Sequence, residues 1–346
     1  MDPLTHGLTS YAIKRGFFPR GSHLAGVLVV AAGMAADMDW MSHSFGPSPF
    51  LRWHGTYLHS IVAAIAIAFG FACFSFADPP PRAHDPQQPS RPGTPFLPVF
   101  LTCFAAALAH ILMDATQSYG TMLAWPLSKA RIALDWIPTI DPWILAILFA
   151  AVTLPLIFRL VSSEIGARDR APRGRNAAWI GLTLVLLCIV GRAALHSRAV
   201  HMLEPHIYGG ESARRVAAYP ESIWPLRWHG VVDTLSALHL VPVDAAPGAY
   251  FNPEVSMTLR KPEPSPMLDA TKNTIAARKL LDVAQFPKIS IDKTETGYIA
   301  DLRDLRYMAA GIHTGAVRAE IELDRASKVT HEELQWDDKN PIRAPW

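Results

Sequence analysis

Apolar residues in the first 200 positions collect in blocks instead of alternating with polar ones. Leu58–Ala77, Phe96–Met113, Pro142–Val161 and Ala177–Leu195 are each long enough, at ~17–25 residues, to cross a bilayer as a helix. Leu24–Ala36 is shorter and suits one arm of a helical hairpin, with the short helix Thr5–Lys14 as the other. After position 200 the texture changes. No long apolar run remains, prolines are frequent, and a period of two sets in. Val317, Ala319, Ile321 and Leu323 alternate with Arg318, Glu320 and Glu322, which predicts a half-buried strand. Ile289 and Ile291 alternate in the same way, and Tyr298–Tyr307 also reads as strand. Thr271–Gln285 carries Ile275, Leu280, Leu281 and Val283 at helical spacing. The fold expected is an α-helical polytopic membrane domain over residues 1–200, with about four to five spans plus a short N-terminal helix. A small α+β extracytoplasmic domain with an antiparallel sheet follows over residues 201–346.

Polar segments set the expected orientation. Asp78–Pro95 holds seven prolines and can form neither a helix nor a central strand, so it reads as a disordered loop. Arg159–Arg175 carries five arginines against two acids and belongs on the cytoplasmic side by the positive-inside rule. Counting spans outward from that anchor puts the Asp114–Asp141 stretch and the C-terminal domain outside. The competing pattern is a cleaved leader built from Lys14, Arg15 and Arg20, then Leu24–Ala32, then Ala35–Ala36. It would discard His6 and still leave four spans.

Composition narrows the class further. Half of the residues are apolar and 18% are charged, which suits a membrane protein. A net charge of +2 gives no electrostatic footprint for nucleic acid. Cys73, Cys103 and Cys188 all lie inside apolar blocks, so neither a disulfide framework nor a cysteine zinc site is implied.

The chemistry concentrates where the apolar blocks end. His6, Asp37, Asp39, His54, His59, His110 and Asp114 all sit at such margins. The span count brings all but His6 to the outer face, and the hairpin brings His6 toward the same level. Imidazole and carboxylate form the donor set of a divalent ion, zinc first, with manganese or magnesium as alternatives. His110 and Asp114 stand at i and i+4, on one face of a helix. Carboxylates at helix C-termini oppose the helix dipole and need compensation. Seven donors exceed one tetrahedral site, so two ions bridged by Asp37 or Asp39 are compatible with the set. Asp39 or Asp114 is the candidate proton acceptor. Arg131, with Lys129, is the candidate anchor for a substrate phosphate or carboxylate. Asp135 and Asp141 read as orienting partners for ligand imidazoles, or, for Asp141 before Pro142, as a helix cap. His196, His201, His206, His229, His239, His313 and His331 are scattered and read as surface or structural residues.

The opening Met-Asp-Pro-Leu-Thr-His-Gly-Leu-Thr and Ala-Asp-Met-Asp-Trp at 36–40 resemble the YdjM-like membrane-bound metal-dependent hydrolases of bacteria. So do the His54/His59-Ser60 pair, His110-Ile-Leu-Met-Asp114, and Thr116-Gln-Ser-Tyr-Gly-Thr121 through Ile140-Asp-Pro142. The resemblance covers roughly residues 1–150, with a weaker echo at Asp301–Tyr307. One motif departs from the pattern. The family often has His-Arg-Gly-x-Thr-His-Ser, whereas here Gly55-Thr56-Tyr57-Leu58 lies between His54 and His59.

The resemblance implies an inner-membrane metal-dependent hydrolase without supplying a substrate; a site at membrane level on the outer face suggests a small or lipid-linked one, such as a phosphoester. The alternatives are a non-catalytic divalent-metal-binding membrane protein and a membrane anchor for a partner-binding domain.

Overall fold

The computed structural model describes residues 1–18, 22–77, 95–164, 174–310 and 315–337. Most of the proline-rich stretch, residues 165–173 of the basic segment, Arg20 and His313 lie outside the described residues. The chain forms two compact units that alternate along the sequence. The first holds Met1–Asp39, Gly55–Leu134 and Ile140–Gly191; the second holds Trp40–His54, Asp135–Thr139 and Arg192–Trp346.

The first unit is helical. Helix α1 (Pro3–Phe17) starts at Asp2, whose carboxylate accepts the Thr5 backbone N–H at 2.9 Å, with Pro3 in the first turn. Helix α2 (His23–Met34) is capped by Ser22 and runs on as 3-10 turns through Ala35–Phe45. The sequence suggests a short hairpin arm here. The added 3-10 turns instead make His23–Phe45 long and apolar enough to cross a membrane. Within the region expected as one span at Leu58–Ala77, Ile61–Cys73 is helical and runs on as 3-10 turns to Ala77, and a bend lies at its start. Short helix α3 (Pro47–Trp53) and the turn at His59 meet α4 (Ile61–Cys73) at 69°, with Ser60 capping α4. Helix α5 (Phe96–Ala115) is a full span in length and composition, as is α7 (Arg175–Leu203). Among the described residues three helices therefore have the length and apolarity of a span. A fourth is added if the bent pair is one span, and the apolar stretch Pro142–Phe158 of α6 (Pro142–Glu164) is shorter.

Small residues let these helices approach closely. Ala25, Ala32, Ala68, Ala72 and Ala106 are buried together with Val29 and Val99 where α2, α4 and α5 pack. Large side chains such as Phe69, Leu101, Leu184 and Leu186 point outward. Gly33 marks the tightest crossing. A Cβ there would fall 1.9 Å from Ser10 Oγ on α1 and 3.2 Å from Ala106 on α5.

The second unit carries the sheets, all antiparallel. Strands β1 (Ile207–Tyr208) and β2 (Glu211–Ser212) form a small ribbon. Strands β3 (Arg215–Pro220), β4 (Arg227–Asp233), β5 (Ala237–Asp244) and β6 (Met257–Arg260) form a meander in that order. It packs Trp228, Val232, Val241 and Val243 against Ala199 and Leu203 at the end of α7. The second meander comprises β7 (Pro287–Lys293), β8 (Gly297–Asp304), β9 (Val317–Asp324) and β10 (Val329–Trp336). The alternation at Val317–Leu323 is β9, with Val317, Ala319, Ile321 and Leu323 all inward. They pack on Leu268, Ala277 and Leu280, and on Leu51 of α3.

Two local expectations are corrected. The strand expected to run to Tyr307 stops at Asp304, whose carboxylate accepts the Arg306 N–H and starts helix α10 (Leu305–Ala309). The single helix expected at Thr271–Gln285 is two, α8 (Pro266–Lys272) and α9 (Ile275–Leu281), because Thr274 caps a new helix through the Ala277 N–H.

Candidate metal centre

Three elements of the helical unit deliver a buried His/Asp cluster. Helix α1 brings His6, the 3-10 turns after α2 bring Asp37 and Asp39, and α5 brings His110 and Asp114 one turn apart. His59 joins from the turn before α4. His6, His59 and His110 are only 1%, 1% and 2% exposed. One donor atom each from His6, Asp37, His110 and Asp114 lies within 4.8 Å of the others, a group that could hold a metal ion.

Asp114 is the hub. Its Oδ1 lies 3.1 Å from His6 Nε2 and also meets the Met1 amino nitrogen. Its Oδ2 lies 3.0 Å from His59 Nε2 and 3.2 Å from His110 Nε2. The rings of His6 and His110 stack with centroids 3.7 Å apart.

The imidazoles are oriented from behind. His110 Nδ1 lies 2.7 Å from the Gly33 carbonyl, which can only accept, so Nδ1 carries the proton. In the neutral ring Nε2 is then a lone pair facing Asp114 Oδ2 and, at 3.5 Å, Asp37 Oδ1. Acceptor faces acceptor in a buried site, an arrangement that requires a cation or an added proton. His59 Nδ1 lies 2.9 Å from Asp39 Oδ2, and that oxygen also receives the Gly55 N–H at 3.0 Å. Asp39 thus stands at ion-pair distance from His59 Nδ1, where a carboxylate can orient a metal-ligating imidazole. Asp37 Oδ2 and His6 Nδ1 are buried with no hydrogen-bond partner among the described residues. These uncommitted donor atoms suit a divalent ion.

His54 does not enter the four-residue group. It belongs to the sheet-bearing unit, where its ring stacks on Phe50 at 4.6 Å and meets the edge of Trp40. Arg131 lies over the Tyr119 ring, with Nη1 3.1 Å from where a Cβ on Gly55 would stand. Gly55 has φ +68, and that Cβ would also be 2.8 Å from the Gly120 carbonyl, so the position requires glycine. Lys129 is exposed. Asp141 caps α6, accepting the Trp143 and Ile144 N–H groups at 2.9 and 3.1 Å. Asp135 belongs to the sheet-bearing unit, buried at φ +57. Sequence reasoning missed the Gly33 carbonyl, since a backbone acceptor has no side-chain signature.

The helices and the cluster define a membrane protein with a buried His/Asp centre in its helical part. The family model for the YdjM inner membrane protein matches residues 1–199, and the chain belongs to that family. The uncharacterized protein YfhP of Bacillus subtilis (strain 168) is 26% identical over 141 residues, 40% of this chain and 39% of that protein. The chain thus spans about two fifths of that curated relative's length. No solved structure matches it.

Proposed function

We propose that this protein is a membrane-bound metal-dependent hydrolase whose centre is the His6/Asp37/His59/His110/Asp114 cluster. The observation that carries this is at His110, where a buried Nε2 lone pair faces two carboxylate oxygens while Nδ1 is committed to Gly33. A divalent ion, zinc first among the candidates, would supply a bound water whose pKa is lowered toward ~7.

The chain's own groups divide the remaining work. His6, His59 and His110 present ring nitrogens, and Asp114 offers both oxygens, one to each side of the cluster. Asp39, whose Oδ2 lies 2.9 Å from His59 Nδ1, would keep the proton there and hold Nε2 toward the centre, as a positioning residue. Asp37, partly exposed and with Oδ2 uncommitted, is the carboxylate best suited to accept a proton from water. Arg131 would hold the anionic part of the substrate. A centre at the end of the candidate span α5 favours a lipid or lipid-linked phosphoester. The proposed orientation, from the basic Arg159–Arg175 stretch, puts the centre and the sheet-bearing unit on the extracytoplasmic side.

The burial of all three imidazoles favours a second reading, a metal that only stabilises the helices. Elemental analysis of detergent-purified protein beside a His110→Ala/Asp114→Ala variant separates the two. Stoichiometric zinc or manganese in the wild type is expected, lost in a variant that keeps its helical circular dichroism and no longer hydrolyses a lipid phosphoester. A variant that unfolds, from a wild type with metal but no hydrolysis, supports the structural metal. Absence of metal from reconstituted wild type overturns both readings.

A further inference from the structure

The helical unit has a second concave feature, a groove of about 940 Å³ between α6 and α7. Its body is apolar, lined by Ala146, Ala150, Leu154 and Phe158 on one side and Ile180 and Leu184 on the other. The two helices touch at Gly181, where a Cβ would meet Ala151 at 2.5 Å, and the groove opens beside that crossing. From Ala146 to Phe158 it runs roughly 18 Å at ~1.5 Å per residue. That is close to one leaflet of a ~30 Å hydrocarbon core.

One end differs. Gly174, Arg175 and Asn176 line it at the start of α7. Arg175 is exposed, and its Nε donates to the Gly16 carbonyl at 3.1 Å, which ties the side chain to the end of α1. The Arg15 guanidinium, which also stacks on Tyr11, lies over Gly174. No acid occurs among the described residues that line the groove. Two guanidinium groups, Arg15 of α1 and Arg175 of α7, therefore stand at the mouth of an apolar channel one leaflet deep, and α7 has the length and apolarity of a span.

We propose that this groove binds one anionic glycerophospholipid, its phosphodiester at Arg15 and Arg175 and an acyl chain along α6 and α7. The charge selects the headgroup, because a guanidinium pair favours a net anionic lipid over a zwitterionic one. The apolar lining and its length select the chain. The proposal stands independently of the metal centre.

Native mass spectrometry of the delipidated, detergent-purified full chain tests it, with dioleoylphosphatidylglycerol or dioleoylphosphatidylcholine added back. One phosphatidylglycerol bound with about tenfold or greater preference is expected. Arg15→Gln/Arg175→Gln should reduce that preference to the phosphatidylcholine level, and Ala150→Phe should displace both lipids by filling the groove. Metal content and melting temperature serve as folding controls. Equal binding of the two lipids by the wild type, or a preference that survives the double substitution, overturns the proposal. So does a lipid-insensitive dimer that Ala150→Phe dissociates, which would assign the groove to a second copy of the chain.

Discussion

The two units of this protein are packed in opposite senses. In the sheet-bearing unit the largest side chains are inside, with Trp228, Tyr208, Tyr219, Leu240 and Leu302 fully buried, while many charged residues face out. In the helical unit alanine and glycine fill the helix contacts, the buried polar groups include the clustered His6, His59, His110 and Asp114, and Phe69, Leu101, Leu186 and Leu187 are outside. Water drives the first arrangement through apolar burial. Lipid offers no such drive, so the second relies on close backbone approach and on satisfying polar groups at the contact.

Matched truncations give the largest test of that contrast. Trp228→Ala should destabilise the sheet-bearing unit by ~3–5 kcal/mol. Leu186→Ala, at an outward position of α7, should change stability by no more than about 0.5 kcal/mol in detergent. Thermal melts followed by circular dichroism measure both, and comparable losses would break the comparison.

Packing by small residues predicts the next effect. Gly33→Ala puts a methyl group into Ser10 and against Ala106, so α1 must move away from α2. Overpacking of this kind costs ~1–3 kcal/mol. Because α1 carries His6 and the Gly33 carbonyl holds His110, metal affinity in a chelator competition should fall together with the melting temperature.

Asp39→Asn sharpens the assignment within the cluster. As a residue that orients His59, it should weaken metal binding by about 10–100-fold, or ~1.4–2.7 kcal/mol, with the number of bound ions unchanged. Loss of an ion would make Asp39 a ligand instead.

The smallest effect is a pH dependence confined to the sheet-bearing unit. Burial lowers the His229 imidazole to about 4, and burial also lowers His239. With the unfolded value near ~6.5, the unfolded chain binds a proton that the native state refuses. Stability is therefore full above about pH 6.5, falls as the pH drops toward 4, and changes no further through this group below that. His229→Gln should flatten the slope of melting temperature between pH 7 and 4.5 while leaving metal content unchanged.

Much of this division was written in the periodicity. Phe96–Ala115 and Arg175–Leu203 are apolar over enough residues to be legible as span-length helices, and the alternation at Val317–Leu323 specifies both the strand and its inward face. Where local capping competes with periodicity, the pattern misleads. Thr274 splits one expected helix, Asp304 ends an expected strand early, and the 3-10 turns at Ala35–Phe45 lengthen an expected hairpin arm. Each depends on one side-chain oxygen or a slight tightening of the helix, too local to register in the spacing of apolar residues.

The candidate site divides along the same line. Residue type and the i, i+4 spacing of His110 and Asp114 were enough to nominate a metal centre from the sequence, because buried imidazole and carboxylate at apolar margins demand compensation. Tertiary structure alone decided that His54 packs on Phe50 within the sheet-bearing unit, and that His59 lies against Asp39. It alone turned the His110 lone pair inward through the Gly33 carbonyl. Composition along a chain records what a segment must bury. Which atoms then meet depends on backbone groups and long-range contacts, and no linear pattern encodes those.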